Sequence, residues 1–317
     1  NSRWGPCPAF SMPMTQTSPN TLVILGPTAS GKTTLGIQLA RTLGGEILSA
    51  DSRQVYKGLD IGSGKDLSEY NEGGSPVPYH LIDIVTLEEE YNLFRFQQDC
   101  YAAWSHIHKR GPLPIIVGGT GLYLEAVLQG YRMVDAPANP ALREELNNLD
   151  EVALLKQLKR AKPNLHNQTD TLDRDRTIRA IEIAVYSEKH PPPPAPDIRP
   201  QVLGIQWDRT ILRQRITIRL KERMDNGLIE EVEALHATGY SWERLEFLGL
   251  EYRFISQLLQ GKINNKNDCT QKLNAAIHQF AKRQETWFRR MERKGTKIHW
   301  VSEGALPLAL AQLRGTE

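Results

Sequence analysis

The chain has 317 residues, of which 40% are hydrophobic and 24% charged, and its formal net charge at pH 7 is +2. This length can bury the core of one large domain, or of a core domain that carries a smaller insertion. No apolar run reaches about eighteen residues, so we expect no membrane-spanning helix and a cytoplasmic protein. The three cysteines, Cys7, Cys100 and Cys269, are too widely spaced for a zinc pair or a disulfide framework.

The N-terminal segment, residues 1–20, is rich in Pro, Ser and Thr and contains few residues that a core could bury. It lacks both the apolar stretch of a secretory signal and the basic amphipathic pattern of a transit peptide. We therefore expect a disordered lead-in, with Met12 or Met14 as a candidate natural start.

The first motif that carries chemistry is "GPTASGKT" at residues 26–33. The apolar run at 21–27 predicts a strand, and the leucine spacing over 32–44 predicts a helix that ends at Gly44. Between them, the motif fits G-x-x-x-x-G-K-[ST], in which glycines let backbone N–H groups approach phosphate oxygens. Lys32 reaches the terminal phosphate and the Thr33 hydroxyl can hold Mg²⁺. The motif predicts a ligand with a phosphate chain but does not specify a reaction.

Two further buried strands are predicted at residues 45–52 and 113–119. Strands that alternate with helices indicate an α/β fold with a parallel, doubly wound sheet of the P-loop type. A kinase or a nucleotide-hydrolysing enzyme should carry a second Asp at the end of such a strand. The strand at 113–119 instead ends in glycines followed by Thr120, and Asp83 in "HLIDIV" is the remaining candidate.

Asp51 lies at the end of the predicted strand, directly after its apolar part "EILSA", and ligands of parallel α/β sheets lie beyond the carboxyl ends of the strands. Its carboxylate could accept a proton from an attacking nucleophile. Alternatively, Asp51 caps the turn that begins at Ser52. The local sequence does not decide between these two roles.

The pattern changes after Gly130. Charged helical segments without strand signals predict an all-helical insertion at 136–199, which ends in the proline-rich stretch "HPPPPAPDIRP". A strand at 201–207 then returns to the core, and long helices follow from Arg209. We expect a catalytic core at 21–135 and 200–300 with a helical C-terminal region, and a tail at 301–317.

A local basic stripe lies near the end of the chain, between residues 282 and 297. Its cations face only Glu285 and Glu292, so the stripe can bind a phosphate backbone even though the whole chain is nearly neutral. A solvated helix face is the alternative. The cations are Lys282, Arg283, Arg289, Arg290, Arg293, Lys294 and Lys297.

Several segments together resemble the bacterial tRNA dimethylallyltransferase family, also called tRNA isopentenyltransferase. The matching segments run in order over residues 21–300 and include "GPTASGKT", "SADSRQVYKGLDIGSGK", "YHLIDIV", "VGGTGLYLEAVLQG", "DRTIRAIEI", "LGLEYR" and "AKRQETWFRR". The resemblance implies transfer of a dimethylallyl group from dimethylallyl diphosphate to N6 of adenosine 37 in tRNA. The phosphate loop would then hold the diphosphate leaving group together with Mg²⁺.

The resemblance also implies roles for individual residues. Asp51 would be the general base on N6, and Thr120 would lie at the reaction centre. The diphosphate would be bound by Gly26, Thr28, Ala29, Ser30, Gly31, Lys32, Thr33 and Arg176. The tRNA would be contacted by Asp51, Ser52, Arg53, Gln54, Thr120, Arg176, Arg179, Arg253, Lys282, Arg283, Gln284, Trp287 and Arg289.

The sequence departs from the family's pattern at several places, among them "LGLEYR" at 248–253, where a Gly-Tyr-Lys/Arg pattern is commoner. The family's more usual "GTAKP" appears here as "GSGKD" at 62–66, and Arg174-Asp175-Arg176 stands where many members have Pro-Gln-Arg. The resemblance further implies that the insertion closes on the anticodon stem-loop of a tRNA and that the protein acts as a monomer.

Three alternatives remain open from the sequence. A phosphate-loop kinase of small metabolites would turn over ATP and ignore tRNA. An adenylate isopentenyltransferase would leave the basic stripe without a purpose. An RNA-binding sensor of nucleotides would bind tRNA without forming a product, and Asp51 argues against it.

Overall fold

The centre of the structure, a computed structural model that describes residues 18–161 and 173–315, is a six-stranded parallel sheet. The strand order is β3-β2-β4-β1-β5-β6, and each hydrogen-bonded pair is parallel. The strands are β1 Thr21–Leu25, β2 Gly45–Ala50, β3 Tyr79–His80, β4 Leu113–Gly118, β5 Pro200–Gln206 and β6 Ile298–Ser302.

Thirteen helices accompany the sheet in the described residues. They are α1 Lys32–Leu43, α2 Ser68–Asn71, α3 Leu93–Arg110, α4 Gly121–Leu128, α5 Pro140–Asn147, α6 Glu151–Ala161, α7 Arg174–Lys189, α8 Arg209–Asp225, α9 Leu228–Ala237, α10 Trp242–Phe247, α11 Leu250–Leu259, α12 Lys266–Arg293 and α13 Leu306–Arg314. Over the same residues, no helix combines the length and the apolar character that crossing a bilayer requires.

Helices cover both faces of the sheet, which explains why the central strands are continuous apolar runs. In β1, Ile24 packs in one buried cluster with Leu35 of α1, while Val23 packs in another with Phe96 of α3 and Phe288 of α12. The prediction of a P-loop-type parallel sheet flanked by helices is confirmed. A third buried cluster holds the helical C-terminal region together around residues of α8, α10, α11 and α12.

The residues Gly130–Ala195 form a separate compact unit. The sequence analysis predicted a helical insertion with the bounds 136–199. Within the unit, leucines of α5 and α6 pack against Ile178 and Ile181 of α7. Arg174 donates to the backbone carbonyls of Leu146, Asn147 and Leu149 at 2.7–3.3 Å, so it closes the turn between α5 and α6. All secondary structure described in this unit is helical.

The sequence analysis predicted neither of the two edge strands of the sheet, β3 and β6. β3 has only two residues, and β6 has just two buried positions, Ile298 and Val301, among half-buried and exposed ones, so it is not a continuous apolar run. Residues 301–317 were predicted as a tail; in their described part the end of β6 pairs with β5, and α13 buries Ala309 in the same cluster as residues of the sheet. Most of the predicted lead-in, residues 1–17, lies outside the described residues.

Candidate active site

The phosphate loop joins the end of β1 to the start of α1. Gly31, at the N-cap of α1, adopts a φ of 85°, and no side chain caps this end of the helix. The first amides of α1 therefore keep their N–H groups available to an anion, to which the helix dipole adds attraction. The buried hydroxyl of Ser30 has no hydrogen-bond partner within 18–161 and 173–315, which leaves it free for a ligand.

Two side chains from outside the loop hold its backbone. The indole Nε1 of Trp207 donates to the carbonyl of Ser30 at 2.9 Å, and Nε of Arg215 donates to the carbonyl of Ala29 at 2.9 Å. The guanidinium of Arg215 also lies 4.2 Å from the ring centre of Trp207. Because these contacts occupy the carbonyl side of the loop, the loop is preorganised before any ligand arrives.

A cavity of about 870 Å³ opens beside the loop. Its wall contains Lys32 and Thr33 from α1, and a row of arginines from α8. Burial lowers the pKa of Lys32 to about 8; Asp51 raises it in part, whereas Arg219 and Arg223 lower it further. The cavity therefore gathers several cations around one lysine, as a binding site for a highly charged anion requires.

Arg219 and Arg223 of α8 were missed by the sequence analysis. Arg219 pairs with Asp66 at 2.5 Å, and Arg223 pairs with Glu251 at 3.2 Å. Burial and the neighbouring Arg219 lower the pKa of Arg223. The signal in the sequence was the i, i+4, i+8 spacing of Arg215, Arg219 and Arg223, which places all three on one face of a helix.

The "GSGKD" segment has a structural role at Lys65. Its ammonium is almost fully buried and donates to the carbonyl of Tyr56 at 2.8 Å, to Asp60 at 2.8 Å and to Asp83 at 2.5 Å. Asp83, the sequence-based candidate for a magnesium carboxylate, is therefore an ion-pair partner of Lys65. Within the described residues, no cluster of three or more metal-binding side chains occurs.

Asp51 and Thr120 meet where β2 and β4 end. The Oδ1 atom of Asp51 accepts from the amides of Arg53 at 2.8 Å and Gln54 at 3.4 Å, so Asp51 does cap the following turn. The Thr120 hydroxyl accepts from the amide of Ser52 at 3.3 Å. Only one carboxylate oxygen of Asp51 serves the cap, so capping and a role in proton transfer are compatible.

Helix α12 connects the phosphate loop with the chain that follows β4, where Thr120 lies. The side-chain oxygen of Gln284 accepts from the amide of Thr28 at 2.8 Å, and its nitrogen donates to the carbonyl of Gly119 at 2.8 Å. The indole of Trp287 packs so closely on Gly121 that a Cβ there would lie 2.3 Å from the ring. In the structure Gln284 joins α12 to the phosphate loop and to the end of β4, and Trp287 packs on the first residue of α4. The predicted tRNA contacts of both residues stay predictions.

The other predicted tRNA contacts fall into two groups. Gln54 is buried, and its side chain bonds to Ser49 and to the carbonyl of Gly64, so it supports the Asp51 turn from inside. Arg53 is half-buried and Ser52 lies beside it, whereas the cations further along the chain are exposed. These exposed cations are Arg253, Lys282, Arg283 and Arg289.

Arg176 and Arg179 belong to the separate helical unit, on α7. Arg176 is exposed. Arg179 donates to the carbonyl of Ala136 at 2.5 Å and to Glu182 at 3.3 Å, so it also stabilises this unit.

A glycine-rich loop between a buried strand and an uncapped helix, with a cationic cavity beside it, defines a P-loop-type α/β protein. Two family models match the chain: "IPP transferase" over residues 54–291 and "Isopentenyl transferase" over residues 19–75. The first match covers well over half of the chain. The chain therefore belongs to the IPP transferase family.

Relatives and solved structures agree with this assignment. The chain is 57% identical to tRNA dimethylallyltransferase 1 of Geotalea uraniireducens, covering 92% of this chain and 96% of that protein. It is 60% identical to the protein of the same name from Geotalea daltonii, covering 92% and 94% of the two chains. The full-length tRNA isopentenylpyrophosphate transferase of Bacillus halodurans superposes with a TM-score of 0.67 at 30% identity, covering 94% and 96%. A eukaryotic dimethylallyltransferase acting on tRNA gives a TM-score of 0.73 at 26% identity, covering 90% and 74%.

Proposed function

We propose that this protein transfers a dimethylallyl group from dimethylallyl diphosphate to N6 of adenosine 37 in tRNA and releases diphosphate. The observation that carries the proposal is the junction of a cationic phosphate site with a carboxylate. Gln284 joins the phosphate loop to the end of β4, where Thr120 meets the Asp51 turn, and Asp51 is near enough to Lys32 to raise its pKa.

The phosphate side of this junction stabilises a leaving group. When the C–O bond of the allylic diphosphate breaks, the bonding electrons leave with the diphosphate and its negative charge increases. The free amides at the start of α1, with Lys32, Arg219 and Arg223, face this charge from a preformed cavity. These groups need little reorganisation during the reaction, and such preorganisation accounts for most of the transition-state stabilisation that sites of this kind provide.

The carboxylate of Asp51 acts on the nucleophile, N6 of the adenine. The N6 lone pair of adenine forms the new C–N bond to the allylic carbon, and one N6 proton must leave because the amine becomes cationic. The Asp51 oxygen that does not cap the turn takes this proton. Thr120, which accepts from the amide of Ser52, fixes the end of β4 against the turn that begins at Asp51.

Mg²⁺ fits the donor set of this cavity. Mg²⁺ commonly binds one or two protein groups together with phosphate oxygens, and the cavity wall offers the Thr33 hydroxyl with the carboxylates of Asp66 and Glu69 nearby. Thr33 would hold the ion against the diphosphate. When bound, Mg²⁺ supplies additional positive charge to the departing group.

The RNA side of the proposal rests on exposed cations. Arg253, Lys282, Arg283 and Arg289 are free to meet a phosphate backbone. The separate helical unit is proposed to close on the anticodon stem-loop, with Arg176 exposed on α7. A monomer acting in the cytoplasm stays a prediction.

The experiment that tests this function is incubation with dimethylallyl diphosphate, Mg²⁺ and either unmodified tRNA or AMP, followed by mass analysis of the nucleosides. We expect N6-dimethylallyladenosine in tRNA alone. A product in AMP alone would favour an adenylate isopentenyltransferase, and ATP turnover without any prenyl product would favour a kinase.

Asp51→Asn separates the two roles of Asp51, because the amide oxygen of Asn can still cap the turn but cannot act as the base. We expect turnover to fall about 100-fold or more, with tRNA binding within about twofold of wild type. Asp197→Asn, at a side chain that is 80% exposed, is the matched control. Near-normal turnover of Asp51→Asn would exclude Asp51 as the base.

A further inference from the structure

Phe247 is an aromatic side chain that the fold leaves on the surface. It ends α10 and is 67% exposed, more than any other exposed large hydrophobic side chain described outside the residues 130–195. Its neighbours Leu245 and Leu248 are fully buried and anchor this segment. Folding therefore does not require an aromatic ring at position 247.

Two arginines flank the same segment. Nε of Arg253 donates to the carbonyl of Glu246 at 3.3 Å. The side chain of Arg53 passes over Gly249, because a Cβ built on Gly249 would lie 3.5 Å from its Nε and 3.8 Å from its Cδ. Phe247 thus lies in a short stretch of chain, residues 246–249, with one arginine side chain at each end of that stretch, Arg253 at Glu246 and Arg53 at Gly249.

The only carboxylate next to Phe247 in sequence is already neutralised. Glu246 forms an ion pair with Lys262 at 3.1 Å and accepts from Gln260 at 2.9 Å. Glu243 is exposed one turn earlier on α10, so the surface around Phe247 presents a ring and two cations together with one carboxylate, and its net charge still favours an anionic partner.

This surface adjoins the candidate active site through Arg53. The amide of Arg53 donates to Oδ1 of Asp51 at 2.8 Å, while the Arg53 side chain contacts Gly249. A molecule that presents a nucleophile to Asp51 therefore extends toward Phe247 with its adjacent groups.

We propose that Phe247, flanked by Arg53 and Arg253, is a stacking platform for one unpaired base next to the target adenosine of the RNA. The proposal rests on the proposed function. To reach Asp51 the target adenine must leave the base stack, which deprives a neighbouring base of its partner. An exposed ring replaces that lost stacking, and the two guanidiniums pair with the phosphates on either side. An RNA base fits this surface better than a protein side chain does, because the ring is flanked by cations.

The test uses a synthetic anticodon stem-loop RNA with 2-aminopurine placed at either neighbour of the target adenosine. Stacking on a ring quenches 2-aminopurine fluorescence. We compare wild type with Phe247→Ala, Phe247→Leu and Phe247→Tyr, and we use Leu308→Ala, at a 50% exposed position on α13, as the control.

We expect wild type and Phe247→Tyr to quench the fluorophore at one of the two positions. Phe247→Ala and Phe247→Leu should lose the quench and raise the KM for RNA by roughly 5- to 100-fold, with the KM for dimethylallyl diphosphate unchanged. The Leu variant separates stacking from simple apolar contact. Leu308→Ala should behave as wild type.

Three results bear on the proposal differently. An unchanged KM and an unchanged quench in Phe247→Ala would overturn it while leaving the proposed function intact. A wild-type dimer in sedimentation that Phe247→Ala dissociates would identify the surface as a self-association site and would also overturn it. Binding of the stem-loop by wild type without prenylation would refute the proposed function, and the quench would still decide the role of Phe247.

Discussion

The carboxylate of Glu182 offers a direct test of how the helical unit Gly130–Ala195 is stabilised. Its side chain is 1% exposed. It accepts two hydrogen bonds of 2.8 Å from Arg143, one of 2.8 Å from the amide of Asn139 and one of 3.3 Å from Arg179. Replacing it by Gln removes the charge and leaves Arg143 without its bidentate partner.

The size of the effect follows from the pKa of Glu182. The hydrogen bonds from Arg143, which outweigh an opposing effect of burial, together with the Asn139 amide and Arg179 lower this pKa from 4.5 to about 2. At about 1.4 kcal/mol per pH unit, this corresponds to about 3 kcal/mol of stabilisation at neutral pH. Because the folded-state pKa is depressed, the contribution is complete above pH 4.5 and is lost as the pH falls toward 2.

Hydrogen exchange measured by mass spectrometry on peptides from α5 and α7 reports this stability locally. We expect Glu182→Gln to lower the protection of these helices about 100-fold at pH 7 when they exchange through opening of the whole unit. Glu188→Gln, the same change at an exposed position of α7, should leave it unchanged. Wild type at pH 3 should lose part of the protection that it has at pH 6.

The Glu182→Gln substitution should affect the KM values of the two substrates differently. If this unit holds RNA, Glu182→Gln should raise the KM for tRNA and leave the KM for dimethylallyl diphosphate unchanged, because the phosphate loop lies in the other unit. Protection within twofold of wild type would refute the reasoning, since the network around Glu182 would then contribute little to stability.

Three further outcomes are expected. Burial lowers the pKa of Lys32 to about 8, so inhibition by inorganic diphosphate should weaken by up to tenfold per pH unit above pH 8. Lys32→Arg should remove this pH dependence. Equal pH dependence in both proteins would contradict the role of Lys32 in binding diphosphate. Gln284→Leu leaves two buried backbone groups unpaired and should lower the free energy of unfolding by about 1–3 kcal/mol per group in urea titrations, with weaker diphosphate binding. Gly121→Ala places a Cβ 2.3 Å from the Trp287 ring and should lower both the Tm and kcat; an unchanged Tm would show that the contact relaxes freely.

The phosphate loop was predictable because its chemistry is local. Residues 26–33 are consecutive, and the glycines, Lys32 and Thr33 act through backbone geometry that eight residues determine. Asp51 was found in a similar way, since a polar residue after a buried strand lies at the edge of the sheet where ligands bind. Its capping role and its candidate catalytic role both agree with its geometry.

Contacts across long sequence separations were not visible in the sequence. The family resemblance implied that Gln284 contacts tRNA, and this stays a prediction; its bonds to Thr28 and Gly119, each more than 160 residues away, were not foreseen. The spacing of Arg215, Arg219 and Arg223 places these residues on one face of a helix, but it does not show what that face packs against. Their role depends on where α8 packs against the phosphate loop.

The four central strands, the phosphate loop and the family could be predicted from the sequence, because they depend on hydrophobic periodicity and on consecutive residues. Packing was needed to show which cations enter the cavity, which polar side chains are used inside the protein and that residues 298–302 complete the sheet. The physical reason is that a side chain's role depends on its burial and its partners. Those are set by the packing of distant elements, as Lys65 shows: its charge is used to hold two aspartates and a carbonyl together.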